Sequence, residues 1–238
     1  MREFLNDLKN SLPRYIAVQP STKKKLTYRP FTVKEEKALL ISNSTGNNQD
    51  FLTTLGNVIE VCFDINDAKN LPIFDIEYFF LKLRCKSIGE LIEPVIVCPT
   101  TNEKIQLYLN LDEIEPICDS THSKEVNLDN FIVKMRYPTL LDFIEKKENE
   151  DYYDMMLKCI ESIQTQKELI ETRNATIDEI KEFVDLLTKA QFNKLINFFK
   201  TMPKVEKELK YKTSDGIERV LVLKGIRDFF QSASATLP

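Results

Sequence analysis

The chain has 238 residues, 42% hydrophobic and 29% charged. That profile suits an ordinary globular protein, long enough to bury a core without disulfides or metals, and it excludes disordered and collagen-like chains. The formal net charge is −4, so no bulk attraction draws the chain to nucleic acid or to an anionic membrane.

The first thirty residues carry Pro13, Pro20 and Pro30 and the run Lys23-Lys24-Lys25. Proline forbids continuous helix and pushes the residue before it toward extended geometry, so residues 1–31 read as an extended N-terminal arm. Thr32 with Glu35 makes a capping box for a helix to about Ile41. After the breaker Asn43–Asn48, Phe51, Leu55, Val58, Ile59 and Cys62 form the stripe of a second helix. A third helix from about Asp75 buries Ile76, Phe79, Phe80 and Leu83, places Arg84 and Lys86 at its C-terminal end, and stops at Gly89.

The period then changes. Leu91–Cys98 and Lys104–Leu111 read as a hairpin around Pro99-Thr100-Thr101-Asn102, with more strand at Val126–Leu128 and Phe131–Arg136. A short helix is expected near Thr139–Lys146. From Asp151 the apolar spacing of Tyr152, Met155, Met156, Cys159, Ile160 and Ile163 predicts one helix through that whole stretch. Thr176 and Glu179 form a capping box for a helix striped by Ile177, Ile180, Val184 and Leu187. Thr188 caps another, burying Phe192, Leu195, Ile196 and Phe199 and closed by Pro203. Val205–Lys212 and Ile217–Leu223 flank Asp215-Gly216, a strong hairpin signal, and a short helix carries Phe229 and Phe230.

Helices, strands, helices, strands predict an α+β fold rather than a doubly wound one. The expected segments are 1–31 (arm), 32–90 (helical), 91–138 (β-rich), 139–203 (helical) and 204–232 (hairpin and short helix), in one or two compact domains. No repeat at a solenoid period is visible.

The five cysteines include no C-x-x-C pair, which favours a reducing compartment over a disulfide framework. No secretory signal and no membrane span are expected. With His122 as the one histidine, histidine-based triads and multi-histidine zinc sites are excluded. Cys98-Pro99-Thr100-Thr101 has the shape of a zinc knuckle with Thr101 at its second cysteine position. The second hairpin turn places Lys212 and Asp215 where the other thiols would stand. One ligand of four leaves no metal expected, and Cys98 reads as a small buried strand residue. The hairpins are expected to pack instead through Val95, Val97, Leu107, Val220 and Val222. No catalytic residue and no cofactor are predicted, and the aromatics fall on helical stripes rather than on a nucleic-acid platform.

Several segments together carry a resemblance. They are Gln19-Pro20-Ser21-Thr22, Tyr28-Arg29-Pro30-Phe31-Thr32-Val33-Lys34-Glu35, Phe74–Ser87, Arg136-Tyr137-Pro138-Thr139 and Gly225-Ile226-Arg227-Asp228-Phe229-Phe230. In order and overall length the set resembles the baseplate hub protein family of T-even-like contractile-tailed bacteriophages. The resemblance implies a non-enzymatic structural or assembly component of the hub. Its alternative is a transient assembly chaperone absent from the mature virion, with a carboxylate-based hydrolase as a remote third reading. It implies other baseplate or hub proteins as partners, and the host cytoplasm during assembly, then the tail baseplate, as location. Tyr28, Arg29, Phe31, Arg84, Phe229 and Phe230 are the expected partner-binding residues.

Overall fold

The computed structural model describes residues 1–226, 228 and 229, and an α+β fold is what it shows. The chain gathers into two units, residues 1–117 together with the chain from Lys204 onward, and residues 118–203.

Unit 1 opens with α1 (Arg2–Asn10), then β1 (Tyr15–Val18) and β2 (Lys25–Tyr28), an antiparallel pair that sets Tyr15 opposite Tyr28. This corrects the extended arm. The prolines begin only at Pro13, so nothing prevents a helix before it. Pro13 and Pro30 flank a hairpin whose turn contains Pro20 and holds Lys23 at φ 60°. Next come α2 (Val33–Ser44), α3 (Asn48–Phe63) and α4 (Ile73–Ser87). The Asn47 side chain caps α3 by accepting from the Gln49 amide at 2.9 Å, and Asp64 ends it in the left-handed region at φ 52°.

Helix α4 is the axis of this unit. Phe74, Ile76, Phe79, Leu81 and Leu83 are each 1% exposed or less, so apolar residues point to every side. The following hairpin is β3 (Leu91–Ile92) with β6 (Leu109–Asn110) and β4 (Val95–Val97) with β5 (Lys104–Gln106). Its ladder is interrupted at Pro94, which has no N–H to donate and instead accepts from the Leu107 amide at 2.9 Å.

Unit 2 contains β7 (Glu125–Asn127), β8 (Ile132–Met135), α5 (Leu140–Ile144), α6 (Tyr152–Lys158), β9 (Ile160–Gln164), β10 (Leu169–Glu171), α7 (Ile177–Asp185) and α8 (Lys189–Thr201). The strands form one antiparallel sheet in the order β10-β9-β8-β7. The helix expected from Tyr152 to Ile163 therefore ends at Lys158. Ile160 and Ile163 lie instead in the strand between β8 and β10, and the 139–203 segment expected to be helical supplies two of the four strands, β9 and β10. The apolar positions fit a helical stripe as far as Cys159. Beyond it, Val133 pairs with Ile163 and Met135 with Ile160, and long-range pairing overrides local spacing. Within α7, Ile180 and Val184 are buried while Ile177 is exposed.

The chain leaves unit 1 at Ile117 and re-enters at Lys204. These two residues exchange backbone bonds at 2.8 and 2.9 Å. Strands β11 (Glu206–Lys212) and β12 (Glu218–Lys224) complete unit 1 as a hairpin in the register Lys212 to Glu218. The expected valine packing is corrected. Val95, Val97, Val220 and Val222 are all exposed, whereas Leu107, Leu209, Tyr211 and Leu223 face inward. Period-2 alternation was legible, but which face meets the core is set by the partner element.

Candidate functional site

The residues singled out by the sequence lie mostly inside unit 1. Tyr28 is 2% exposed and stacks on Phe63 with ring centroids 4.8 Å apart. Its hydroxyl donates to the Lys82 carbonyl at 3.4 Å, and burial raises its pKa. Phe31 is buried, and its amide donates to the Ser87 hydroxyl at 2.9 Å. Phe229 is 1% exposed; Phe230 lies outside the described residues. Arg84, 3% exposed, donates to the Gly89 carbonyl at 2.9 Å and closes the C-terminus of α4. Burial lowers its pKa. In this conformation Tyr28, Phe31, Arg84 and Phe229 present no surface to a partner. Adjacent aromatics and a helix-end cation mark partner contacts only where the surrounding chain leaves them open.

Arg29 is half-buried and makes a three-part joint. Its amide donates to the Cys62 carbonyl at 3.0 Å, and its guanidinium to the Pro30 carbonyl at 2.9 Å and to Glu35 Oε1 at 3.0 Å. Glu35 also accepts from the Thr32 amide at 2.6 Å and from the Thr32 hydroxyl. Burial opposes ionisation of Glu35, but the Arg29 and Thr32 donors outweigh it and hold the carboxyl down at about 2.

The same joint occurs in unit 2. The Arg136 amide donates to the Cys159 carbonyl at 2.8 Å, and its guanidinium to the Tyr137 carbonyl at 3.2 Å and to Asp142 at 2.7 and 2.9 Å. Asp142 accepts from the Thr139 amide at 2.7 Å. In both joints an arginine at the end of a hairpin strand locks a capping box three residues on.

The Gln19–Thr22 segment has a similar internal task. Asp75, fully buried near the start of α4, accepts from Gln19 Nε2 at 2.7 Å, from the Ser21 amide at 2.9 Å and from the Ser21 hydroxyl. Burial raises its pKa against those donors. Pattern reading could not find this contact, because nothing local marks a carboxylate whose partners lie fifty-odd residues away.

The two hairpin tips do meet. The Ser214 amide donates to Glu103 at 2.9 Å, and Arg219 binds Asp215 at 2.6 Å. Cys98 is buried, and the Thr101 hydroxyl first, with Tyr211 adding, draws its thiol down to about 7. Among the described residues no group of three His, Cys, Asp or Glu side chains is placed to hold a metal ion. His122 is half-buried in unit 2, its ring nitrogens 2.9 Å from the Thr201 hydroxyl and 3.0 Å from that of Tyr137. Burial, then Lys124, lowers its pKa. No helix of the described residues is long and apolar enough to cross a membrane.

These joints define an α+β protein whose polar groups spend their bonding on holding its own elements together. The family model for the T4 bacteriophage base plate protein matches residues 12–231, and the chain belongs to that family. No curated protein and no solved structure matches it.

Proposed function

We propose that the protein is a non-enzymatic subunit of the central hub of a contractile phage tail baseplate, retained in the virion and bound to other baseplate proteins. The family match over residues 12–231 carries this reading. The surface supports it. Ile16, Leu91, Val95, Val97, Tyr108, Ile117, Val220 and Val222 are all exposed, and this apolar surface is available for a partner to bury. The charged residues at the joints satisfy one another, which suits a scaffold.

Mass spectrometry of purified virions and baseplates, with copy number, tests the reading. Stoichiometric presence in finished tails is the expected result. Presence only in assembly intermediates would sink it and favour the transient chaperone.

A further inference from the structure

The two arginine joints belong to a longer correspondence. Each begins with an antiparallel hairpin, β1–β2 or β7–β8, and passes through Arg29 or Arg136 to a capped helix. A second helix then brings the Cys62 or Cys159 carbonyl back to the arginine amide. Each continues to a 3-10 turn, Ala68–Asn70 or Thr172–Asn174, and then to α4 or α7. The sequences there align without a gap: Lys69-Asn70-Leu71-Pro72-Ile73-Phe74-Asp75-Ile76 against Arg173-Asn174-Ala175-Thr176-Ile177-Asp178-Glu179-Ile180. In that register Phe79 matches Phe183, and Lys82 matches Leu186. We infer that the two units carry divergent copies of one hairpin–helix–helix motif, differing chiefly by the β9–β10 insertion in the second.

The copies differ in what covers the stripe Asp75–Phe79–Lys82 and its counterpart Glu179–Phe183–Leu186. In unit 1 the chain covers it. The six-residue turn Gln19–Lys24 seats on Asp75. Residues 111–115 lie over Lys82, which donates to the Asp112 carbonyl at 2.8 Å and to Glu115 at 3.1 Å, while Leu111 and Ile114 are buried. In unit 2 the corresponding hairpin turn, Leu128–Phe131, is shorter. Phe131 reaches Phe183, with ring centroids 5.6 Å apart, and goes no further. Glu179 is exposed, Phe183 half-buried and Leu186 81% exposed. Beside the stripe runs a groove of about 310 Å³, lined by Phe131, Ile163, Ile170, Ala175, Ile180 and Phe183.

The charges around this stripe indicate the occupant. In unit 1 a cationic helix position, Lys82, is met by Asp112 and Glu115. Helix α7 instead exposes Asp178, Glu179, Glu182 and Asp185 against the single cation Lys181. The groove and the Leu186 end of α7 are therefore assigned as the docking surface for a segment of another baseplate protein, one carrying large apolar side chains flanked by lysine or arginine. This assignment rests on the baseplate reading above.

The test places a benzophenone amino acid at position 186, and separately at 170, of the full-length protein during phage assembly, with position 147 as control. Leu186→Lys, Ile170→Lys and Glu182→Lys variants are compared in parallel. The expected result is a crosslink from 186 and 170, but not from 147, to an apolar and basic segment of one baseplate protein. Incorporation of each lysine variant into baseplates should drop at least tenfold, with melting temperature unchanged. Normal incorporation without crosslinks would overturn the docking surface while the protein's presence in tails left the baseplate reading standing. Crosslinks to a second copy of this chain, or to an acidic segment, would also overturn it. The expected crosslink in a protein absent from finished tails would sink the retained-subunit reading and leave the surface in place.

Discussion

Burial opposes the ionisation of two glutamates of unit 1, but the donors around one of them take the two to opposite ends. Glu35 has Arg29 and Thr32 to stabilise its charge, and its carboxyl stays at about 2. Glu77, on α4 with its Oε1 near Gly225, has burial alone acting on it, which pushes it up to about 8 from 4.5. An acid held down when folded stabilises the fold above its unfolded pKa, and that contribution is lost as pH falls toward 2. An acid pushed up does the reverse: between pH 4.5 and 8 the folded chain keeps a proton that the unfolded chain releases, so stability falls as pH rises. For one such group the slope is at most about 1.4 kcal/mol per pH unit. Denaturant unfolding at intervals from pH 5 to 8 should therefore show a smaller loss of stability in Glu77→Gln than in the wild type. Superimposable pH profiles would mean that Glu77 is ionised in the folded protein.

At the scale of elements, the N-terminal segment shows how far pattern reading reaches. Its prolines correctly deny one long helix, but they do not reveal that Gln19 and Ser21 satisfy Asp75, or that Ala17 and Tyr28 are buried. The capping boxes at Thr32 and Thr176 and the cap at Thr188 were legible because their signal lies within four residues. Strand β9 was not, because its apolar positions fit either period and its neighbours come from β8 and β10. The burial pattern divides the N-terminal segment sharply. Phe4, Leu5 and Leu8 of α1 are exposed, so removing residues 1–11 should leave the melting temperature within about 2 °C. Removing residues 1–25 strips β1 and leaves a buried carboxylate without its donors, each such loss costing about 1–3 kcal/mol, and should abolish cooperative unfolding. Equal melting temperatures for the two truncations would contradict this division. The hairpin tips yield a second expectation at this scale. Glu103 with Ser214 joins the tips where a ribbon would use a metal, Asp215 with Arg219 closes the second tip on itself, and Lys212 is exposed. Chelator treatment should leave the melting temperature unchanged and elemental analysis should find no stoichiometric zinc; one zinc per chain would overturn this expectation.

At the scale of the whole molecule, the serial order of segments conceals an insertion. The β-rich stretch and the C-terminal hairpin look distant in sequence, yet Glu103 bonds Ser214 and Ile117 pairs with Lys204, so unit 1 closes on itself across the gap that unit 2 fills. Unit 2 has its own core, with Leu128, Val133, Met135, Met156, Cys159 and Leu195 all fully buried. A unit whose entry and exit residues are hydrogen-bonded to each other can be removed without opening its host, because a short flexible linker spans the remaining distance. Replacing residues 118–203 by a Gly/Ser linker of about five residues should give a protein that unfolds cooperatively, with the chain ends at Ile117 and Lys204 still paired. Amide exchange supplies the sharper readout. The amides of Ile117 and Lys204 should remain protected, as should those of α4, whose burial comes from elements of unit 1. A linker variant with a melted, rapidly exchanging α4 would show that unit 1 depends on unit 2 for its fold.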